Sequence, residues 1–277
     1  MIDNPGSLAV AADARAAVPP VLEVDRVSRS FGAVEALRDV SFEVSAGEVV
    51  ALLGDNGAGK STMVKIISGT IQPDSGRLLF EGRPVVIDSP ATAKGLGIET
   101  VYQDLSICPN MDVVANFFMG RELYRNVFGL KVLRERAMRE ETERTLREIG
   151  TQIPSVFTAM QHLSGGQRQA VELCRFVHWG GKLVLLDEPF AALGVRQTHR
   201  GLEMIEQVKS RGVAVIVITH NMLHAFQVAD RIVVLRQGKV AGMRAVGETT
   251  TDEVVTLITG ERIEVGKRSL STANHNN

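Results

Sequence analysis

Cysteine is nearly absent from this chain: Cys108 and Cys174, far apart, are its only two in 277 residues. Two distant thiols make no disulfide framework, and the pattern suits a reducing compartment. Long apolar runs are missing as well. None approaches the roughly 18 residues that a membrane-crossing helix needs. Neither charge sign dominates; a net charge of −1 lacks the positive excess of a nucleic-acid-binding chain. No internal repeat occurs. The Ala-rich N-terminus has no basic start, and Asp13 and Arg15 interrupt it, so it makes a poor signal peptide. Work at a membrane would therefore require a partner that holds the chain there.

What is present is the balance of a globular protein, 44% hydrophobic and 23% charged. Residues 1–20 are small and polar and end in Pro19-Pro20, which predicts a disordered lead; 261–277 read as a flexible tail. One domain is expected between them, over 21–260. Val21 to Val27 and Val40 to Val44 alternate like half-buried strands. Val49 to Leu53, Leu183 to Leu186 and Val213 to Ile218 are unbroken apolar runs, typical of strands buried on both faces. Ile232 to Leu235, Gln237-Gly238 and Lys239-Val240 predict a hairpin. The expected core is α/β with a largely parallel sheet. Between about 104 and 177 helix formers dominate and strands are scarce. There Lys131 to Ile149 predicts a solvated helix with a buried stripe of Leu133, Ala137, Leu146 and Ile149.

Four motifs carry the chemistry. Gly54-Asp55-Asn56-Gly57-Ala58-Gly59-Lys60-Ser61 fits G-x-x-x-x-G-K-[ST] at every specified position. An apolar strand precedes it and a helix from Lys60 to about Ser68 is expected after it. Its glycines let backbone N–H groups turn inward on phosphate oxygens, and the helix adds its positive end. Lys60 can reach the β- and γ-phosphates, and Ser61 can place its hydroxyl on Mg²⁺. Leu163-Ser164-Gly165-Gly166-Gln167 follows, and then Asp187 and Glu188 at the end of an apolar strand. Asp187 can orient Mg²⁺ or its waters, which leaves Glu188 free to polarise an attacking water. Last comes His220, closing the strand from Val213. It has two readings, a structural histidine or a contact to the γ-phosphate. Gln103, after Ile98 to Tyr102, is either polar surface or a donor to Mg²⁺ and water. Phe31, ahead of the loop, is either core or a platform for a nucleotide base.

The order of these motifs resembles the nucleotide-binding subunits of ATP-binding-cassette transporters, from about Val21 to Gly260. The resemblance implies a phosphate-loop NTPase core with an antiparallel β subdomain and a helical subdomain. It makes Phe31 the adenine-stacking aromatic, Gly54 to Thr62 the nucleotide loop and Gln103 a metal and water ligand. It makes Ser61, Gln103 and Asp187 the Mg²⁺ set, Glu188 the catalytic base and His220 the switch histidine. Such subunits hydrolyse ATP as head-to-tail pairs. Ser164, Gly165, Gly166 and Gln167 would then face the ATP of the other subunit. The implied partners are a second cassette, a membrane permease and, indirectly, a solute-binding protein, at the cytoplasmic face of the inner membrane and without nucleic acid.

Asn116 to Glu122, Asp187 to Thr198 and Thr251 to Gly260 are similar to the sugar-import branch, of the ribose, xylose and fructose type. Two departures stand out: Phe190 where the family usually has Thr, and Gly194 where many cassettes have Asp. The implied function is the ATPase of an importer with a monosaccharide cargo. Two alternatives are a soluble cassette acting on DNA or ribosomes and a nucleotide-dependent scaffold with little turnover. The first usually needs a long coiled-coil insertion or a second cassette; the second would be expected to lack Glu188 or His220. Phe117, Phe118 and Met119 have two readings, a docking cluster for the permease or core of the helical subdomain.

Overall fold

The structure, a computed structural model, describes residues 18–101, 107–148, 150–179, 181–190 and 195–260. Gln103, Ile149, Gly194, the tail at 261–277 and all but the end of the expected N-terminal lead lie outside the described residues.

The chain begins with an antiparallel hairpin, β1 (Leu22–Phe31) and β2 (Val34–Val44). The alternation seen in the sequence holds, and β1 runs on to Phe31 through register shifts at Val27 and Arg29. β3 (Val49–Leu53) is buried throughout and leads into α1 (Lys60–Ile67). β4 (Ser75–Phe80) and β5 (Arg83–Val85) complete a four-stranded antiparallel sheet in the order β2-β1-β4-β5. Next come α2 (Pro90–Leu96), capped by the Ser89 hydroxyl at the Thr92 amide, and β6 (Ile98–Val101).

The middle of the chain is α3 (Val113–Phe118), a hairpin of β7 (Tyr124–Val127) and β8 (Leu130–Leu133), then α4 (Glu135–Glu148) and α5 (Gly165–His178). The helix expected from Lys131 therefore starts later, because Lys131 to Leu133 pair with β7. Its buried stripe is Met138, Thr142, Thr145 and Leu146, whereas Leu133 is exposed. The Thr142 and Thr145 hydroxyls donate to the carbonyls one turn back, Met138 and Glu141, which makes burial of these polar residues affordable. Phe117 and Phe118 have no accessible surface. They pack at 5.4 Å between ring centroids, in a core shared with Met160 and Val171. The docking reading of this cluster is thus corrected: these rings are core.

β9 (Leu183–Asp187), α6 (Val195–Ser210), β10 (Ala214–Ile218), α7 (Met222–Val228), β11 (Arg231–Arg236), β12 (Lys239–Ala245) and α8 (Thr251–Thr259) follow. They build a six-stranded sheet in the order β12-β11-β3-β10-β9-β6. All its pairings are parallel except β11 with β12. The unbroken apolar runs of β3, β9 and β10 form its centre, as strands covered on both faces must. One face packs against α1 and the antiparallel sheet, the other against α6, α7 and α8. Because β3, β9 and β10 are parallel neighbours, their C-terminal ends share one edge, with Leu52 and Asp187 both opposite Ile218. Ligands of open α/β sheets bind at such an edge.

Candidate functional site

The loop from Gly54 to Gly59 leaves β3 at that edge and is pressed against its surroundings. A Cβ on Gly54 would lie 2.2 Å from the Leu235 carbonyl oxygen. One on Gly59, at φ 105°, would lie 2.6 Å from the Ala36 carbonyl oxygen. Only glycine fits either place. The turn after β11 braces the loop from behind, the Gly238 amide donating to the Ala58 carbonyl at 3.1 Å. Asp55, Asn56 and Gly57 remain exposed on the open side.

Lys60 opens α1 and is buried. Its Nζ donates to the Gly54 and Asp55 carbonyls at 2.6 and 3.0 Å. Burial lowers its pKa, and the charges of Glu188, Asp55 and Asp187 pull it back up. Asp187, at the end of β9, has its carboxyl pKa raised, first by burial and then by the neighbouring Glu188 charge, with Lys60 opposing. A partly desolvated carboxylate opposed by Lys60, with an exposed Ser61 next to Lys60 in α1, offers a hard-oxygen donor set. That chemistry fits a hard divalent cation whose remaining ligands come from phosphate and water. Gln103, the third expected donor, lies outside the described residues.

Glu188 adopts a left-handed backbone conformation, φ 49°. A non-glycine residue there carries strain that the surroundings must hold. They do so through β10: the Glu188 amide donates to the Ile218 carbonyl at 2.9 Å. The Glu188 carboxylate accepts from the His220 amide at 3.0 Å, and its Oε1 lies 2.8 Å from His220 Nδ1. The Thr219 hydroxyl reaches its other oxygen at 3.4 Å. Two motifs far apart in sequence thus meet as one Glu–His unit. The His220 ring is otherwise largely exposed, and its far side meets no hydrogen-bond partner among the described residues.

A cavity of about 310 Å³ opens beside this unit, lined by Leu53, Gly54, Asp55, Asn56, Thr219, His220 and Ile258. Ile258 comes from α8, and no signal in the sequence pointed to it; Thr219 was within reach as the residue before His220. Phe31 is not in this wall. It stands half exposed at the tip of the β1–β2 hairpin, whose Ala36 touches Gly59, with the Arg29 guanidinium 5.1 Å over its ring.

Ser164 to Gln167 lie elsewhere, at the start of α5. The Ser164 hydroxyl accepts from the Gln167 amide at 3.3 Å, and the Gln167 side chain accepts from the Ser164 amide at 3.0 Å. This reciprocal capping box fixes the turn. It leaves Ser164 exposed beside the helix's positive end. None of these residues lines the cavity beside Gly54.

Phe190 follows the Glu188 turn and is buried. Its ring meets His224 edge-on at 5.2 Å and fills the space above Gly201, where a Cβ would fall 2.7 Å from the ring. The bulk added by this departure is thus accommodated by a glycine one layer away in α6. Gly194 lies outside the described residues.

The ABC transporter family model matches residues 37–191. The xylose/arabinose import ATP-binding protein of Sulfolobus acidocaldarius is 46% identical, over 86% of this chain and 94% of its own. The fructose import ATP-binding protein of Rhizobium meliloti is 40% identical, over 88% and 95%. The crystal structure of the ADP conformation of an ATP-binding cassette of an ABC transporter shares the fold, with a TM-score of 0.75 and 24% identity over 87% of this chain and 99% of that one.

Proposed function

We propose, from the premise that this chain belongs to the ABC transporter family, that it binds and hydrolyses ATP to drive monosaccharide import through a partner permease. The observation that carries this reading is the meeting of the Gly54–Gly59 loop, Asp187 and the Glu188–His220 unit at one edge of the parallel strands. A soluble cassette acting on DNA or ribosomes is not favoured, because the relatives matched along nearly their whole length are import subunits. Among the described residues no helix is long and apolar enough to cross a membrane. In this reading a permease holds the subunit at the cytoplasmic face of the membrane.

In this reading Lys60 exchanges the Gly54 and Asp55 carbonyls for β- and γ-phosphate oxygens, joined by the loop amides and the start of α1. Ser61 and Asp187 hold Mg²⁺, with Gln103 as a further donor. Held by these residues, the ion would supply positive charge against the phosphates. Glu188 accepts a proton from the attacking water, and His220 orients that carboxylate while presenting its free side to the γ-phosphate. Phe31 offers its exposed ring to adenine. Ser164, Gly165, Gly166 and Gln167 serve the loop of a second cassette, which completes each site.

Glu188→Gln tests the chemistry. It keeps shape and hydrogen bonding but loses the base, so the variant is expected to bind ATP and elute as a closed dimer with ATP and Mg²⁺ in size-exclusion chromatography. Cargo is tested in the source cell. Loss of the gene should abolish growth on one pentose or hexose as sole carbon source, with rescue by the wild type and none by Glu188→Gln. Unimpaired growth on every monosaccharide tried would rule out the sugar assignment.

A further inference from the structure

The β7–β8 hairpin has no counterpart in the ATP site and projects from the helical layer. Its root is fixed: the Arg134 amide donates to the Leu123 carbonyl at 2.8 Å, and Leu123 packs against the helical core. Beyond that root every residue of β8 is exposed, as are Tyr124, Arg125 and Asn126 of β7. At the tip, Phe128 and Gly129 both have positive φ, 50° and 84°, between paired Val127 and Leu130. This two-residue turn favours Asn, Asp or Gly at both places. A fully exposed Phe holds the first of them, where its bulk strains the backbone. Neither folding nor packing explains the choice, since the ring touches no core.

The charge of this ribbon is as lopsided as its polarity. Between 121 and 136 there are five cations and two carboxylates, on a chain of net charge −1. Arg125, Lys131 and Arg134 enter no ion pair among the described residues, and Lys131 lies 5.9 Å over the Tyr124 ring. With Arg136, which pairs with Glu140, they line an open groove beside the start of α4. A narrow convex tip is poorly shaped for the broad flat contact that a stable protein interface uses. It does suit a bilayer, whose headgroup layer takes an aromatic tip while its anionic surface attracts the flanking cations.

We propose that the β7–β8 hairpin is a lipid-contacting finger: Phe128 and Leu130 enter the headgroup layer, and Arg125, Lys131 and Arg134 pair with anionic phospholipid headgroups. The finger would tether the subunit to the bilayer beside its permease, independently of nucleotide.

Vesicle sedimentation of the purified full chain tests this. The probes are vesicles of phosphatidylcholine alone and of phosphatidylcholine with a third phosphatidylglycerol. Binding is expected to the anionic vesicles only and to weaken as salt is raised. The double variant Arg125→Glu with Lys131→Glu should reduce partitioning by at least about twentyfold. Phe128→Ala should reduce it by about tenfold, and Arg125→Lys with Arg134→Lys should leave it nearly unchanged. All three variants should keep wild-type ATPase activity, which shows that the fold is intact. Equal binding to both vesicle types, or none to either, would overturn the proposal. So would a wild-type chain that ignores vesicles while Phe128→Ala breaks co-purification with the permease or association between copies of the chain; the finger would then be a protein contact.

Discussion

At the scale of single residues, the site is a balance of charges kept short of water. Lys60 is the one cation within the loop, and it is held by carbonyl oxygens that a phosphate can displace. Lys60→Ala removes the charge on which phosphoryl transfer most depends, so ATPase activity is expected to fall by at least about a hundredfold. A coupled phosphate-release assay on the purified variant checks this, and near-wild-type turnover would move the site elsewhere. Asp187 gives a pH-dependent test. Burial and the Glu188 charge raise its folded pKa. A raised carboxyl pKa contributes stability below its unfolded value and loses it as pH rises through the folded one. Near neutral pH the ionised Asp187 therefore destabilises the nucleotide-free protein. Asp187→Asn should raise the melting temperature there while abolishing hydrolysis. The gain should shrink as pH falls into the ordinary carboxylate range, where wild-type Asp187 is itself protonated. A melting series across that range, without nucleotide, reads the sign directly.

At the scale of elements, the Glu188 turn is buttressed by α6 through Phe190 and Gly201. Gly to Ala in a helix interior ordinarily stabilises by about 1 kcal/mol. Here the added methyl meets the Phe190 ring at 2.7 Å, with the ring itself held against His224. Gly201→Ala is therefore expected to destabilise by about 1–3 kcal/mol. Phe190→Leu should recover most of that loss in the double variant, as urea titration of the four proteins would show; additive losses would mean the two positions do not share space. This coupling also marks where the sequence stops being legible. β3, β9, β10 and α1 could be placed to within a residue or so, because unbroken apolar runs and a glycine loop have strong local causes. The β11–β12 hairpin was equally plain from its Gln237-Gly238 turn. The β7–β8 hairpin was not, since Phe128 holds the first place of its turn, where Asn, Asp or Gly is usual, and Tyr124 to Leu133 carries charges typical of a helix surface. The burial of Phe117 and Phe118 was open in the sequence, because an aromatic pair suits a core or an interface equally. The contact of Glu188 with His220 depends on strand order, which no local pattern encodes, and Ile258 reaches the cavity only through the packing of α8.

At the scale of the whole molecule, the proposed function gives one chain two half-sites, the Gly54–Gly59 loop and the Ser164–Gln167 turn, of which only the first lines the cavity. Ser164 lies exposed at the head of α5, outside the wall of the cavity that Gly54, Asp55 and His220 line. In the proposed head-to-tail pair each capped turn, with its amides and positive helix end, would meet the phosphates held by the other chain. The capping box matters for this, because it fixes the orientation of Ser164, and the Gln167 side chain is held in turn by donating to the Gln152 carbonyl at 3.1 Å. Ser164→Arg puts bulk where the second chain's phosphate would lie, yet touches nothing in the loop that binds nucleotide. The central claim is that hydrolysis belongs to the pair. Its most direct test is ATPase rate against protein concentration, without permease, for the wild type and for Ser164→Arg. The wild-type rate is expected to rise more than linearly, and Ser164→Arg to be inactive while binding nucleotide almost as well as the wild type. A rate strictly linear in wild-type protein down to high dilution, together with an active Ser164→Arg, would contradict the account and assign the chemistry to a single chain.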